Sequence, residues 1–176
     1  MNKKFSVLIK NKIKKFNKTI FPPGDKSISN RFFFIASQAI GISKARGILE
    51  SEDILNNIKI FRKLGVKIVK KKNAYYVYGN GLNSFKIKKR LTRIFIGNSM
   101  TTGRLLAGLL STYPAKFYLY GDRSANKRDF TRVTEPLEKI GATFSPKGKN
   151  TLPITMEGTS MPLAQKHIEN RGSSQV

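Results

Sequence analysis

Cysteine is absent and histidine occurs once, at His167. Without thiols there can be neither disulfides nor thiolate metal sites, and a single imidazole cannot build a histidine metal cluster. Acidic residues are scarce. Only 10 Asp and Glu stand against 34 Lys and Arg, which leaves a net charge of +24 and a pI near 10.5. No apolar run is long enough to cross a bilayer. The stretch from Met1 to Lys18 alternates lysine with apolar residues and lacks the unbroken hydrophobic core of a secretory signal. A cytoplasmic protein is expected.

What is present suffices for a folded domain. The chain has 176 residues, 39% hydrophobic and 25% charged, within the range of globular proteins that bury a core. The positive charge has three readings. It could be the electrostatic footprint of a nucleic-acid binder, lysine spread over every exposed face, or a provision for anionic small molecules. The lysines are scattered through all segments, and neither a zinc finger nor an RNP-type aromatic motif accompanies them. Nucleic acid is therefore not the expected partner.

Strands and helices alternate along the chain. Val7 to Ile13 and Lys18 to Phe21 are β-prone, and Pro22, Pro23 and Gly24 close the second run. Ile28 to Ile40 reads as an apolar helix stopped by Gly41, and Ala45 to Leu49 as a strand. Ser51 is placed to cap a helix with Glu52 and Asp53 in its first turn, where carboxylates suit the dipole. Ile54, Leu55, Ile58, Phe61 and Leu64 then recur at helical spacing up to Gly65. A hairpin over 66–70 and 74–78 follows. After Gly97 come a helix over 99–110, a strand over 116–120, and an amphipathic helix carrying Phe130, Val133, Leu137 and Ile140. Two strands follow, near 142–145 and 152–157. Both halves thus share the order helix, strand, helix, strand, strand. Gly65 and Gly141, 76 residues apart, end near-copies, Arg62-Lys-Leu-Gly-Val and Glu138-Lys-Ile-Gly-Ala. That spacing suits a duplicated α/β unit.

Four segments carry anion chemistry. Pro23-Gly-Asp-Lys-Ser-Ile-Ser-Asn-Arg31 lies where a strand gives way to a helix, so Lys26, Ser27 and Arg31 join the N–H groups of a helix N-terminus. Gly97-Asn-Ser-Met-Thr-Thr-Gly-Arg104 is a second glycine turn into a helix. Gly121-Asp-Arg-Ser-Ala-Asn-Lys-Arg128 is a basic loop, and Ser173-Ser174-Gln175 is a short polar run near the last residue.

Taken together these segments closely resemble the 5-enolpyruvylshikimate-3-phosphate synthases. Arg132-Val-Thr-Glu-Pro-Leu137, Gly141-Ala and Leu152-Pro-Ile are similar to further family blocks in the expected order. The resemblance implies an α/β (α+β) fold, an inside-out α/β barrel lobe built from βαβαββ repeats. It implies units at about 21–90 and 91–158 and an incomplete third at 159–176, with 1–20 belonging to the other lobe. The implied reaction moves the enolpyruvyl group of phosphoenolpyruvate to the 5-hydroxyl of shikimate 3-phosphate, without metal or organic cofactor, in a monomer. Carried over position by position, Lys26 would touch both substrates, and Ser27 and Arg31 would hold shikimate 3-phosphate. Ser173 and Ser174 would bind its phosphate, with Gln175 beside them. Arg128 would bind phosphoenolpyruvate in a pocket lined by Asn98 to Met100. The acid–base carboxylates are expected outside this stretch, so the chain is expected to be an inactive amino-terminal part. A sister transferase acting on UDP-N-acetylglucosamine is the alternative enzyme, and a basic nucleic-acid-binding module is the alternative of a different class.

Three positions depart from the family pattern. Met100 stands where glycine is usual, and is expected to crowd the phosphoenolpyruvate pocket. Gly103 stands where a larger apolar residue is common. Asp129 replaces a frequent proline and is expected to pair with Arg128 or Arg132.

Overall fold

The computed structural model describes residues 6–10, 12, 15–87, 89–168 and 170. Helix α1 (Lys26–Gln38) starts at Asp25, whose carboxylate accepts the Ile28 N–H at 2.7 Å. Strand β1 (Ile40–Arg46), helix α2 (Glu52–Lys63) and strands β2 (Lys67–Lys71) and β3 (Ala74–Asn80) follow. These strands form an antiparallel sheet in the order β1-β3-β2. A linker then leads into β4 (Leu91–Phe95), α3 (Met100–Leu110), β5 (Lys116–Tyr120), α4 (Thr131–Lys139), β6 (Thr143–Ser145) and β7 (Ile154–Glu157). The second sheet runs β4-β5-β7-β6, with β4 and β5 parallel and the other pairs antiparallel. A parallel pair needs a crossover, which α3 supplies. The sub-order β5-β7-β6 repeats β1-β3-β2, and β4 is the strand that has no counterpart in the first sheet among the described residues.

Each sheet buries one face against its helices. Ile68 and Val77 from the first sheet, and Ile94, Phe117, Leu119, Ile154 and Met156 from the second, are buried with Phe33, Ile54, Ile58, Phe61, Leu106 and Leu110 from the helices. Each such side chain contributes about 1.5–3 kcal/mol relative to exposure. Phe85, in the linker, joins the two halves. Its ring stacks on Tyr113 at 5.2 Å and meets Phe61 at 6.0 Å. The opposite sheet faces look outward, so the helices lie inside and the strands outside.

Several expectations shift. The described residues of the two β-prone runs before Pro22 form no strand, because strand propensity needs a ladder partner and none lies beside them among the described residues. The helix ends at Gln38, two residues earlier than the apolar run suggests. Ile40 and Ile42 then belong to β1, which ends at Arg46 and does not occupy 45–49, because its ladder with β3 sets the register. Strand β4 went unread, although Leu91-Thr-Arg-Ile-Phe95 alternates as a half-buried strand should. Ser51 stands at the N-cap of α2, but its hydroxyl is buried without a partner. Glu52 and Asp53 therefore carry the favourable charge at that end. No helix among the described residues is long and apolar enough to cross a membrane.

Candidate anion-binding site

The parallel strands β4 and β5 run side by side into two glycine turns. The Ile96 N–H donates to Tyr120 at 2.8 Å and the Asp122 N–H to the Gly97 carbonyl at 2.9 Å, so the turns stay joined past the sheet. Only glycine fits at 121. A Cβ there would stand 2.7 Å from the Gly97 oxygen and 2.6 Å from the Ala125 Cβ. Crevices beyond the carboxyl ends of parallel strands are the usual ligand position in open α/β sheets.

Asp122 organises this corner. One carboxylate oxygen accepts the Ala125 N–H at 2.7 Å and the other accepts the Asn98 amide at 2.7 Å. These donors, Ala125 foremost, hold its carboxyl below the usual carboxylate range. The Asn98 oxygen then accepts from Arg128 at 3.2 Å, and Arg128 also reaches the Ser124 hydroxyl at 3.4 Å. Asn98 is thereby oriented unambiguously, since only one amide orientation serves an acid on one side and a guanidinium on the other.

Helix α1 brings the second group of cations to the same end. Lys26 pairs with Asp53 of α2 at 3.4 Å, and Arg31 donates to the Ser27 carbonyl at 3.4 Å. Below them lies a buried polar seam. The Asn30 amide donates to the Thr102 hydroxyl at 3.0 Å, and Asn57 donates to the Asn30 carbonyl at 3.3 Å. Asn56 donates to the Phe95 carbonyl at 2.8 Å. The N-terminal halves of α1, α2 and α3 are thus tied together at the carboxyl end of β4. The arrangement presents helix N-termini, ammonium and guanidinium groups on one side of the molecule, the donors that phosphate and carboxylate ligands require.

The sequence-derived positions divide accordingly. Lys26, Ser27, Arg31, Asn98 and Arg128 lie at this end. Met100 opens α3 with its side chain buried at 5% exposure, within the core. Ser173, Ser174 and Gln175 lie outside the described residues. Asp129 departs from expectation. Its carboxylate accepts the Thr131 hydroxyl at 2.8 Å and the Thr131 N–H at 3.4 Å, and it forms no ion pair with Arg128 or Arg132. A short-range bond to Thr131, the first residue of α4, costs less chain entropy than ordering a long arginine side chain.

Sequence reading missed Arg104. Its guanidinium donates to the Asp129 carbonyl at 3.0 Å. Burial first, and then the charge of Arg132, lower its pKa from the usual guanidinium value, with Asp129 opposing the shift and Arg128 adding to it. Its place one helical turn beyond Met100 was the available signal. Four carboxylates at this end are already engaged: Asp25 caps α1, Asp53 pairs with Lys26, Asp122 holds Asn98, and Asp129 holds the Thr131 hydroxyl.

The family model for EPSP synthase (3-phosphoshikimate 1-carboxyvinyltransferase) matches residues 10–176. The 3-phosphoshikimate 1-carboxyvinyltransferase of Oenococcus oeni is 44% identical over 142 residues, covering 81% of this chain and 32% of that protein. The one from a Sulfurihydrogenibium species is 41% identical over 148 residues, 84% of this chain and 34% of that protein. The solved EPSP synthase of Acinetobacter baumannii superposes with a TM-score of 0.80 at 32% identity, over 87% of this chain and 34% of that one. The chain spans about a third of the length of the curated relatives it matches.

Proposed function

The chain belongs to the EPSP synthase family, and from that premise we propose that it takes part in enolpyruvyl transfer from phosphoenolpyruvate to the 5-hydroxyl of shikimate 3-phosphate. The observation that carries this reading is the gathering of Lys26, Arg31, Asn98 and Arg128 at the joined N-termini of three helices. Lys26, Ser27 and Arg31 are assigned to shikimate 3-phosphate, with Ser173, Ser174 and Gln175 as further ligands of that substrate. Arg128 and the turn from Asn98 to Met100 are assigned to phosphoenolpyruvate. Preset hydrogen-bond donors aimed at anionic oxygens bind without reorganising when charge develops during addition and elimination.

The chain by itself is proposed to bind without turning over. Acid–base work needs a carboxyl group within reach of the transferred proton, and Asp25, Asp53, Asp122 and Asp129 are each held by other partners. The relatives reported above carry the name 3-phosphoshikimate 1-carboxyvinyltransferase, which supports a shikimate acceptor over UDP-N-acetylglucosamine. The working form is taken as a monomer in the cytoplasm.

Isothermal titration with shikimate 3-phosphate tests the reading. Saturable binding that Arg31→Ala abolishes is the expected result. Binding that Arg31→Ala leaves intact, or tighter binding of UDP-N-acetylglucosamine, would overturn it.

A further inference from the structure

The substrate site uses few of the cations. A second basic surface lies at the opposite end of the parallel strands. Lys89 and Arg90 precede β4, and Lys116 opens β5, so they stand at the amino ends of strands whose carboxyl ends lead to Asn98 and Asp122. An open crevice of about 450 Å3 is lined by Lys63, Lys86 and Lys89, and beside it a cleft of about 650 Å3 is lined by Lys89, Arg90 and Lys116. Lys89 belongs to both, which makes the two depressions one basic band. Glu157 is the single acidic residue among their lining residues, and it pairs with Lys116 at 3.5 Å.

The band borders an aromatic surface on the outer face of the second sheet. Phe95 faces Tyr120 across the β4–β5 ladder, and Arg93 faces Tyr118. The Phe95 and Tyr120 rings lie 5.2 Å apart and those of Tyr118 and Tyr120 5.5 Å apart, with the Arg93 guanidinium 4.9 Å from the Tyr118 ring centre. The core does not need these rings. The alternate residues Ile94, Phe117 and Leu119 are the ones buried in it, while Tyr118 and Tyr120 are half-buried and Phe95 is 42% exposed.

We propose that this face of the second sheet, with the basic band beside it, binds single-stranded nucleic acid. The chemistry selects that class. Phosphates every few ångströms answer the cations, and unpaired bases stack on aromatic rings with little regard to sequence. A duplex satisfies the cations but keeps its bases stacked on one another, away from the rings. An apolar protein partner would use the rings but not the uncompensated cations Lys63, Lys86, Lys89, Arg90 and Arg93. No linear motif announces the surface, because the rings come from two strands and the cations from the linker, α2 and β5. None of these residues is assigned to shikimate 3-phosphate or phosphoenolpyruvate; Phe95 and Tyr120 end the strands that lead into the Gly97 and Gly121 turns, while the basic band lies at the strands' amino ends.

Fluorescence anisotropy with the full chain and a labelled single-stranded oligonucleotide of about 15 nucleotides tests this. Saturable binding is expected, tighter than to a duplex of equal length, and unaffected by shikimate 3-phosphate. Replacing Phe95, Tyr118 and Tyr120 together by alanine should weaken it about tenfold or more. Lys89→Glu with Arg90→Glu should weaken binding and flatten its salt dependence. Lys139→Glu with Lys147→Glu, the same charge change elsewhere, should do little. Absence of saturable binding at about 50 mM salt would overturn the proposal. So would equal or tighter duplex binding, or equal losses from the two charge-reversal pairs. The comparison of single strand with duplex uses the unaltered chain, so it decides the matter even where the triple ring variant fails to fold.

Discussion

Asn98 and Arg128, 30 residues apart, meet at 3.2 Å through the asparagine oxygen, while the nitrogen of the same amide is held by Asp122 at 2.7 Å. The acid therefore positions the guanidinium without touching it. A direct aspartate–arginine pair would neutralise Arg128. An interposed amide orients it and leaves most of its donors for a ligand.

Asn98→Ala should uncouple that relay. Hydrogen bonds to charged groups contribute about 1.5–3 kcal/mol, so phosphoenolpyruvate should bind about tenfold more weakly. Isothermal titration of the two proteins compares them directly. Unchanged affinity would mean that Arg128 is positioned by Ser124 alone or is not a ligand.

Thr102→Val should destabilise the fold by about 1–3 kcal/mol, because it leaves the buried Asn30 amide without its acceptor. The bond crosses 72 residues of sequence and ties α1 to α3. Equilibrium denaturation measures the loss. A double-mutant cycle with Asn30→Ala should show non-additivity, as residues in one network do.

Met100 and Gly103 form a size exchange within one helical turn. Met100 fills core space, and Gly103 lets α3 approach Ile96, whose Cδ1 would stand 2.7 Å from an added Cβ. Met100→Gly should therefore cost about 2–5 kcal/mol through the cavity it leaves. Gly103→Met alone should destabilise by overpacking. The double exchange should recover part of the loss, because one change adds volume beside the volume the other removes. Denaturation midpoints of the three variants decide this, and purely additive losses would contradict it.

Tyr75 should ionise late. Burial, followed by its hydrogen bond to Glu50 at 2.9 Å, raises its pKa from 10.0 to about 12. Glu50 is shifted down in turn, by Lys70 first and then by Tyr75. The native state keeps the Tyr75 proton where the unfolded chain loses it. The stabilisation is thus complete below pH 10 and disappears as pH rises through about 12. Tyrosinate absorbance of the wild-type chain minus that of Tyr75→Phe should show a single transition near the upper value. A difference transition near pH 10 would refute the assignment.

Much of the candidate site is legible in the chain because its elements are local. Lys26, Ser27 and Arg31 fall within two turns of one helix start, and a cap, a charge and a hydroxyl in that order are visible without any fold. The same holds for helices α2 and α3, whose starts and apolar spacing are matters of a few neighbouring residues. Strand β1 was misplaced and β4 missed because a strand's limits are set by its partner. Arg104 escaped notice because an arginine inside a helix looks like any other until burial and neighbouring charges single it out. Asp129 was given a distant partner when a threonine two residues away was available.

The amino-acid sequence alone decided the family, the alternation of helix and strand, and the chemistry of the helix starts, since each depends on residue type and short spacing. The three-dimensional fold decided the rest. It joined Gly97 to Asp122, set Asn98 between Asp122 and Arg128, buried Met100, and laid Phe95, Tyr118 and Tyr120 side by side on an outer face. These are contacts between residues far apart in the chain, and they exist only once burial of the shared core has offset the entropy of bringing them together.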